Sequence, residues 1–280
     1  GLAAGLDKDA KVIRGLFQMG FSHIEVGTLT PKGQPGNDKP RLFRLKEDHA
    51  LINRMGFNNE GSIAASRRLR KRDPNWGVVG GNVGRNKITN NENAIDDYIA
   101  SMSHLRDYVD YFTVNISSPN TPGLRELQQE EVLKNLLTRI SDDNSKSFKP
   151  RPLAVKISPD LSKQEVQSIS RLAVTCGFNG IIGTNTTVNR IGLKTKANRI
   201  KDAGLGGLSG RPLARHSTDV VAWIKEAVGD SAAVIGVGGV FNAQDVIDKR
   251  NAGADLVQIY SGFVYNGPSM LNNIQEAWIK

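Results

Sequence analysis

The feature that most constrains this chain is alternation: short, β-branched apolar runs are each followed by an amphipathic segment, from one end to the other. Strand-like runs are read at Leu2–Ala4, His23–Val26, Gly77–Gly81, Tyr111–Asn115, Leu153–Ile157, Gly180–Gly183, Ala233–Val237 and Leu256–Tyr260. The helical patterns fall at Lys8–Met19, Ser62–Lys71, Ala94–Leu105, Glu130–Ile140, Lys163–Thr175, Thr218–Val228, Ala243–Asn251 and Met270–Ile279. Ser162 with Glu165 forms a capping box before the fifth helix, and Cys176-Gly177 supplies its glycine stop. Eight strand-then-helix units in 280 residues predict an α/β protein, a (β/α)8 TIM barrel of parallel strands in a single domain over 1–280. A doubly wound open sheet is the alternative, and the eightfold count disfavours it.

The stretches Gly27–Glu60, Ile116–Gln128 and Thr186–Ala214 are long for plain connections, which makes them candidate active-site loops. Asp142–Pro152, rich in Ser, Asp, Asn and Lys, reads as a solvated loop on the opposite side. The chain starts on what reads as the end of a strand and stops in an uncapped helix, so both ends read as cut.

Composition narrows the chemistry. The single cysteine, Cys176, excludes a disulfide framework and a cysteine-rich metal site. His23, His49, His104 and His216 are scattered without ligand spacing, so no metal is expected. There is no apolar run long enough to cross a bilayer and no signal peptide. The formal charge of +9 suits an anionic membrane surface, an anionic substrate or nucleic acid. Its densest stretch, Arg67–Arg72, reads as a solvated helix end, and no interleaved basic and aromatic pattern supports a nucleic-acid partner.

A barrel places its chemistry just beyond the carboxyl ends of the strands. Those places hold Lys8, Thr28, Asn82, Asn115 with Ser117-Ser118, Lys156, Thr184-Asn185, Gly238-Gly239 and Tyr260-Ser261. Turn formation explains the glycines. It does not explain a lysine inside the apolar run Leu153–Ile157, or an asparagine ending each of three runs. Buried amides carry both donors and acceptors, so a ring of them suits a flat heterocycle such as a pyrimidine or a flavin. The run Val234–Val240 leads into a helix and favours a phosphate near its N-terminus, and Gly206–Gly210 reads as a second glycine-rich turn. In Asn115–Arg125, NISSPNTPGLR, two prolines stiffen a loop that presents Ser117, Ser118, Asn120 and Thr121.

These segments match a known family. GLAAGLDK (1–8), EVGTLTPKGQPGNDKPRLFRL (25–45), INRMGFNN (52–59), NVGRNK (82–87), NISSPNTPGLR, VKISPDL (155–161), GTNTT (183–187), GGLSGRPL, GVGGV and LVQIYSG (256–262) occur in family order, and the whole chain resembles the class 2, quinone-dependent dihydroorotate dehydrogenases. The resemblance implies an FMN-containing barrel that oxidises dihydroorotate to orotate in pyrimidine synthesis and passes electrons to a membrane quinone. Ser118 matches the catalytic base; a soluble class has cysteine there, and Cys176 lies at a helix end. Lys8, Asn53, Arg54, Met55, Gly56, Phe57, Asn115, Asn120, Asn185 and Thr186 match substrate-binding positions. Ala4, Gly5, Leu6, Asp7, Lys8, Thr28, Asn82, Asn115, Lys156, Thr184, Gly210, Gly239, Tyr260 and Ser261 match FMN-binding positions. Arg44 resembles the arginine facing the quinone tunnel.

Three departures stand out. The family's N-terminal helical pair, which contacts the membrane, has no counterpart in this sequence. The segment Val188–Leu205 is long and basic, and Gly81 stands where a β-branched residue is expected before Asn82. The resemblance implies a peripheral protein on the cytoplasmic side of the inner cell membrane, with the mitochondrial inner membrane as alternative, and a monomer. The rival enzyme reading is a Schiff-base aldolase using Lys156. A soluble dehydrogenase reducing fumarate or NAD is opposed by Ser118, and a non-catalytic basic barrel leaves the polar ring unused.

Overall fold

Seven parallel strands follow one another around a curled sheet in chain order, without the reversal that a doubly wound sheet requires. The computed structural model describes residues 1–279, with ten strands and ten α-helices, numbered here along the chain. The curled sheet holds β1 (His23–Leu29), β4 (Val78–Val83), β5 (Tyr111–Asn115), β6 (Leu153–Ile157), β7 (Gly180–Gly183), β9 (Ala233–Val237) and β10 (Leu256–Gln258). Leu2 makes parallel bridges to Ile24 of β1 and to Ile259 just past β10, so one residue touches both edges of the sheet. The expected first strand at Leu2–Ala4 is no longer than this bridge.

Each strand buries both faces, as parallel strands sheathed by helices must. Ile24, Val79, Phe112, Val155, Ile181 and Val234 are 0% exposed and pack against helices including α3 (Ala94–Leu105) and α4 (Glu130–Lys146). The helices α5 (Lys163–Thr175), α7 (Ala214–Val228) and α8 (Ala243–Asn251) continue this layer. The capping box of α5 is present, with Ser162 Oγ accepting from Glu165 N, and α8 has a second built from Asn242 and Asp245. At Gly81 the missing side chain is replaced by Phe112 and Val109, whose atoms would stand 3.2 and 3.4 Å from a Cβ.

Several boundaries differ from expectation, each for a local reason. The first helix is α1 (Ile13–Gln18), not Lys8–Met19. The Asp7 carboxylate takes the N–H groups of Lys11 and Val12, and Ala10 turns left-handed at φ 57°, which keeps Lys8 in a loop. The helix α2 (Ser62–Leu69) ends two residues early, and β4 runs on to include Asn82 and Val83. The α4 helix runs through Asp142 to Lys146, so only its tail is a loop; buried Asn144 donates to Arg151 O at 2.8 Å and accepts its N–H at 3.1 Å. The α7 helix starts at Ala214 rather than Thr218. The final strand stops at Gln258, and a short helix, α9 (Ser261–Asn266), precedes α10 (Met270–Ile279).

The two longest loops are not structureless. They supply a separate antiparallel sheet of β2 (Leu42–Leu45), β3 (Ala50–Asn53) and β8 (Gly207–Gly210), plus helix α6 (Ala197–Ala203). The segment expected as a second glycine turn is therefore the strand β8, paired with β3 from Ala50↔Gly210 to Asn53↔Gly207. Its glycines permit close contact: a Cβ on Gly210 would stand 2.3 Å from His49 O, and one on Gly206 2.5 Å from Asn53 O.

Candidate active site

The carboxyl ends of the curled sheet form a floor of polar side chains. Alternation along a strand sends every second residue inward, and register aligns Asn82 with Thr113 and Asn115 with Lys156. At the base lies Glu25 of β1, 0% exposed. Its carboxylate accepts from Asn82 Nδ2 at 2.7 Å, Thr113 Oγ1 at 3.0 Å, Gln258 Nε2 at 3.0 Å and Tyr111 OH at 3.2 Å. Asn82 Oδ1 then accepts from Thr28 Oγ1 at 2.5 Å and from Asn115 Nδ2 at 3.3 Å. Asn115 Nδ2 also donates to Thr28 Oγ1 at 2.9 Å, while Asn115 Oδ1 accepts from Asn185 Nδ2 at 3.2 Å. Buried polar groups are stable only when paired in this way. Lys156, 5% exposed, stands beside them; burial lowers its ammonium pKa, and the Glu25 charge pulls it back up.

Ser118 sits on the wall above the floor. Its Oγ accepts from Asn120 N at 3.3 Å, and Asn120 Nδ2 reaches Asn53 Oδ1 at 3.0 Å, joining this loop to β3. Arg125 staples the loop in place: it donates to Ser117 O at 3.2 Å, to Thr186 O at 3.1 Å and to Asp160 at 2.9 Å. Arg85, 4% exposed, braces the same loop through Pro122 O at 2.5 Å. The Thr121 hydroxyl is buried with no protein partner. Lys8 also lines the cavity, and its pKa is lowered to about 8, first by burial and then by the Arg41 charge, with Asp9 opposing.

A glycine-lined end completes the cavity. Gly239 has φ 71°, and a Cβ there would stand 2.2 Å from Ala214 Cα, so only glycine fits. Behind it Lys249, 1% exposed, donates to Ser217 Oγ at 2.8 Å, and Ser217 donates to Gly238 O at 2.9 Å. Ser261 Oγ meets Ser209 Oγ at 2.8 Å across the gap between α9 and β8. The whole cavity, its open mouth included, encloses about 950 Å³.

A family model described as dihydroorotate dehydrogenase matches residues 1–279. The chain belongs to the dihydroorotate dehydrogenase family. A relative from Christiangramia forsetii, named dihydroorotate dehydrogenase (quinone), is 51% identical over 276 residues, covering 99% of this chain and 79% of the relative. One from Arthrobacter sp. with the same name is 48% identical over 277 residues, covering 96% and 78%. Among solved structures, the dihydroorotate dehydrogenase of Eimeria tenella in complex with ferulenol superposes with a TM-score of 0.92 at 36% identity, covering 99% of this chain and 79% of that one.

The cavity brings together most positions that the family resemblance singles out. Ser118, Lys8, Asn115, Asn120, Asn185 and Thr186 line it, as do Asn53, Met55, Gly56 and Phe57 at its mouth. Ala4, Gly5, Thr28, Lys156 and Thr184 line the inner part, with Gly210, Gly239, Tyr260 and Ser261 at the glycine end. Four positions lie elsewhere. Asn82 is in the layer beneath the lining, Leu6 packs on the core, and Asp7 caps the turn before α1. Arg54 turns outward to Ala203 O at 2.8 Å and Pro40 O at 3.0 Å. Arg44 is exposed and stacks on Tyr265, 5.0 Å from the ring centroid.

Glu25, Gln258, Ser209 and Arg125 were not among the expected site residues. Glu25 had a signal in the sequence, a charged residue within the strand-like run His23–Val26.

Proposed function

We propose that this protein oxidises dihydroorotate to orotate in pyrimidine biosynthesis, with FMN as hydride acceptor and a membrane quinone as final acceptor. The observation that carries this reading is one cavity holding a hydroxyl at Ser118, ammonium groups at Lys8 and Lys156, and a floor of oriented amides. The residues fit a flavin: Gln258 Oε1 and Asn120 Oδ1 are buried without protein partners, and both belong to residues that line the cavity. The glycine end leaves backbone bare for a phosphate. We take the fold as a closed (β/α)8 barrel forming one catalytic domain, with the Leu2 segment as its eighth strand.

A flavin supplies the hydride acceptor. Thr28 and Asn115, with Asn82 behind them, would hold its ring together with Ala4, Gly5 and Thr184. Gly210, Gly239, Tyr260 and Ser261 would surround its phosphate tail. Lys156 would sit where negative charge gathers on the ring. Lys8 would pair with the carboxylate of dihydroorotate, while Asn53, Asn115, Asn120, Asn185 and Thr186 fix the pyrimidine edge. Met55, Gly56 and Phe57 would close over the substrate and exclude water. Ser118 Oγ would take the C5 proton as hydride leaves C6. A hydroxyl is a weak base, so its proton must move on, and the unpartnered Thr121 hydroxyl lies on the same loop.

Serine at position 118 selects the quinone class, since Cys176 is at the C-terminus of α5 beside Thr138. Arg44 would face the quinone. No helix among the described residues is long and apolar enough to cross a membrane. The bacterial relatives favour peripheral attachment on the cytoplasmic side of the inner cell membrane.

The test is an anaerobic visible spectrum of the purified protein before and after dihydroorotate. A flavin band that bleaches, then returns with a ubiquinone analogue but not with fumarate or NAD, is the expected result. A flavin indifferent to dihydroorotate removes the substrate assignment, and a protein that takes no FMN removes the cofactor.

A further inference from the structure

We propose that Glu25, which no ligand needs to touch, is a positioning residue that fixes which way the Asn82 amide turns beneath the cavity. The inference rests on the flavin reading of that cavity. An ionised carboxylate can only accept hydrogen bonds. Four donors converge on Glu25, and one is Asn82 Nδ2 at 2.7 Å. Asn82 must therefore turn its Oδ1 the other way, where it accepts from Thr28 and Asn115. With Thr28 Oγ1 donating to Asn82, its lone pairs face Asn115, and the Asn115 amide nitrogen is directed onto both. Asn115 Oδ1 is left facing Asn185, whose Nδ2 donates to it at 3.2 Å and to Ser117 Oγ at 3.0 Å. The carboxylate thus sets the direction of Asn82 and of the Thr28 hydroxyl, while Asn115 and Asn185 are each also held by a backbone donor, Ser117 N at 3.3 Å and Thr186 N at 2.8 Å.

An asparagine or glutamine at the base could not do this, because an amide offers a donor and an acceptor at nearly equal shape. Glu25→Gln is close to isosteric, and its new NH₂ can be met: the Thr113 and Tyr111 hydroxyls rotate to accept, and Gln258 can turn its unpartnered Oε1 inward. The substitution also removes the charge that supports the buried Lys156 ammonium, which costs stability. What the substitution releases is the direction of Asn82, and with it the hydrogen bonds that Thr28 and Asn115 make to its Oδ1.

The experiment compares wild type, Glu25→Gln and the double variant Glu25→Gln/Asn82→Asp. The readouts are FMN affinity, by fluorescence quenching on apoprotein, and the melting temperature of the flavin-free protein. In the double variant the carboxylate moves one step up, so Asn82→Asp again accepts from Thr28 and Asn115 and can accept from the new glutamine. The expected result is about a tenfold loss of FMN affinity in Glu25→Gln, the scale of one misdirected buried hydrogen bond, with a fall in melting temperature from the lost Lys156 partner. Recovery of affinity in the double variant is expected. Unchanged affinity in Glu25→Gln overturns the proposal at any melting temperature. If affinity and melting temperature both fall, the double variant decides. Affinity recovered without the melting temperature supports the polarity role; any other outcome assigns Glu25 to folding and overturns it. A wild type that binds no FMN would instead strike the flavin reading itself.

Discussion

The floor and the roof of the cavity are built on different principles. The floor is made of strand residues: Glu25, Asn82, Thr113, Asn115 and Gln258 are at most 4% exposed, and their donors and acceptors are matched across neighbouring strands. The roof is made of long-range loop contacts: Asn53 to Asn120 at 3.0 Å, Asn37 to Asn120 O at 3.2 Å, and the β3–β8 pairing. Strand register fixes the floor before any ligand arrives. The roof depends on a few side chains that bridge segments far apart in sequence. The difference predicts that roof substitutions change turnover and substrate affinity while flavin is retained, and that floor substitutions act first on stability and flavin.

The largest effect belongs to Ser118→Ala. Its hydroxyl is on the loop held by Arg125, and its removal leaves every floor contact in place. Turnover is expected to fall by about 10²- to 10⁴-fold, the usual contribution of a positioned general base. Flavin content, read from the absorbance ratio, should match wild type. Loss of flavin in this variant would erase the distinction between the two regions.

Thr113→Val tests the floor from below. Thr113 is 0% exposed and its Oγ1 donates to Glu25 at 3.0 Å, so valine keeps the shape and deletes one donor to a buried charge. The expected cost is about 1–3 kcal/mol of stability. The three remaining donors still hold Glu25 in place, so turnover should persist in the folded protein. A thermal melt with a parallel rate measurement separates the two.

How far these regions were readable in the sequence follows the same division. Lys156 and Asn115 stood out because polar residues interrupting or ending apolar runs are costly unless used. Glu25 sat in an equally apolar run and was missed, because its partners come from β4, β5 and β10, and none is near it in sequence. The roof gave almost no local signal. Leu42–Leu45 and Ala50–Asn53 have four residues each, too short for periodicity, and β8 is glycine-rich because Gly210 lies against His49 and Ala50 while Gly207 lies against Thr186 and Pro119. A glycine required by close approach looks the same in sequence as a glycine required by a turn. The α4 extension was hidden similarly: Ser, Asp and Asn favour loops locally, and the contacts of Asn144 with Arg151 overrode that preference.

Lys8 gives the comparison a pH dependence. Burial and the Arg41 charge lower its pKa to about 8, so the ammonium is present below that value and is lost as pH rises through it. The KM for dihydroorotate should therefore rise about tenfold per unit above pH 8, with the affinity for FMN much less affected. Lys8→Met should show the high KM at every pH. A wild-type KM that stays flat to pH 10 would remove Lys8 from carboxylate recognition.

The smallest effect concerns the edge of the roof. Asp48, 8% exposed, accepts from Lys194 N at 2.7 Å, Thr195 N at 3.0 Å and Thr195 Oγ1 at 2.6 Å, pinning the basic segment 188–205 onto the β2–β3 turn. The segment is closed at its ends by the Thr187–Leu208 bridge and by Arg190 donating to Gly206 O at 2.5 Å, neither of which involves Asp48. Asp48→Ala should therefore free the middle of the segment and spare its ends. The freed N–H groups regain water, so the net cost is about 1 kcal/mol rather than the sum of three bonds. Trypsin should cut faster at Lys194, Lys196, Arg199 and Lys201, and KM should change by no more than a few fold. Burial alone would raise the Asp48 carboxyl, but the Thr195 hydroxyl and the two N–H groups outweigh it and hold the pKa below its ordinary value. A depressed carboxyl stabilises above its unfolded pKa and loses that contribution as pH falls through the folded one. In acid, where trypsin is inactive, amide hydrogen exchange at Lys194 and Thr195 should thus stay slow in wild type through the ordinary carboxylate range and quicken only below it, whereas Asp48→Ala exchanges fast at every pH. If acid leaves wild-type protection intact well below that range, the segment is held by Leu193 packing on the β2–β3–β8 core, and the carboxylate is incidental to it.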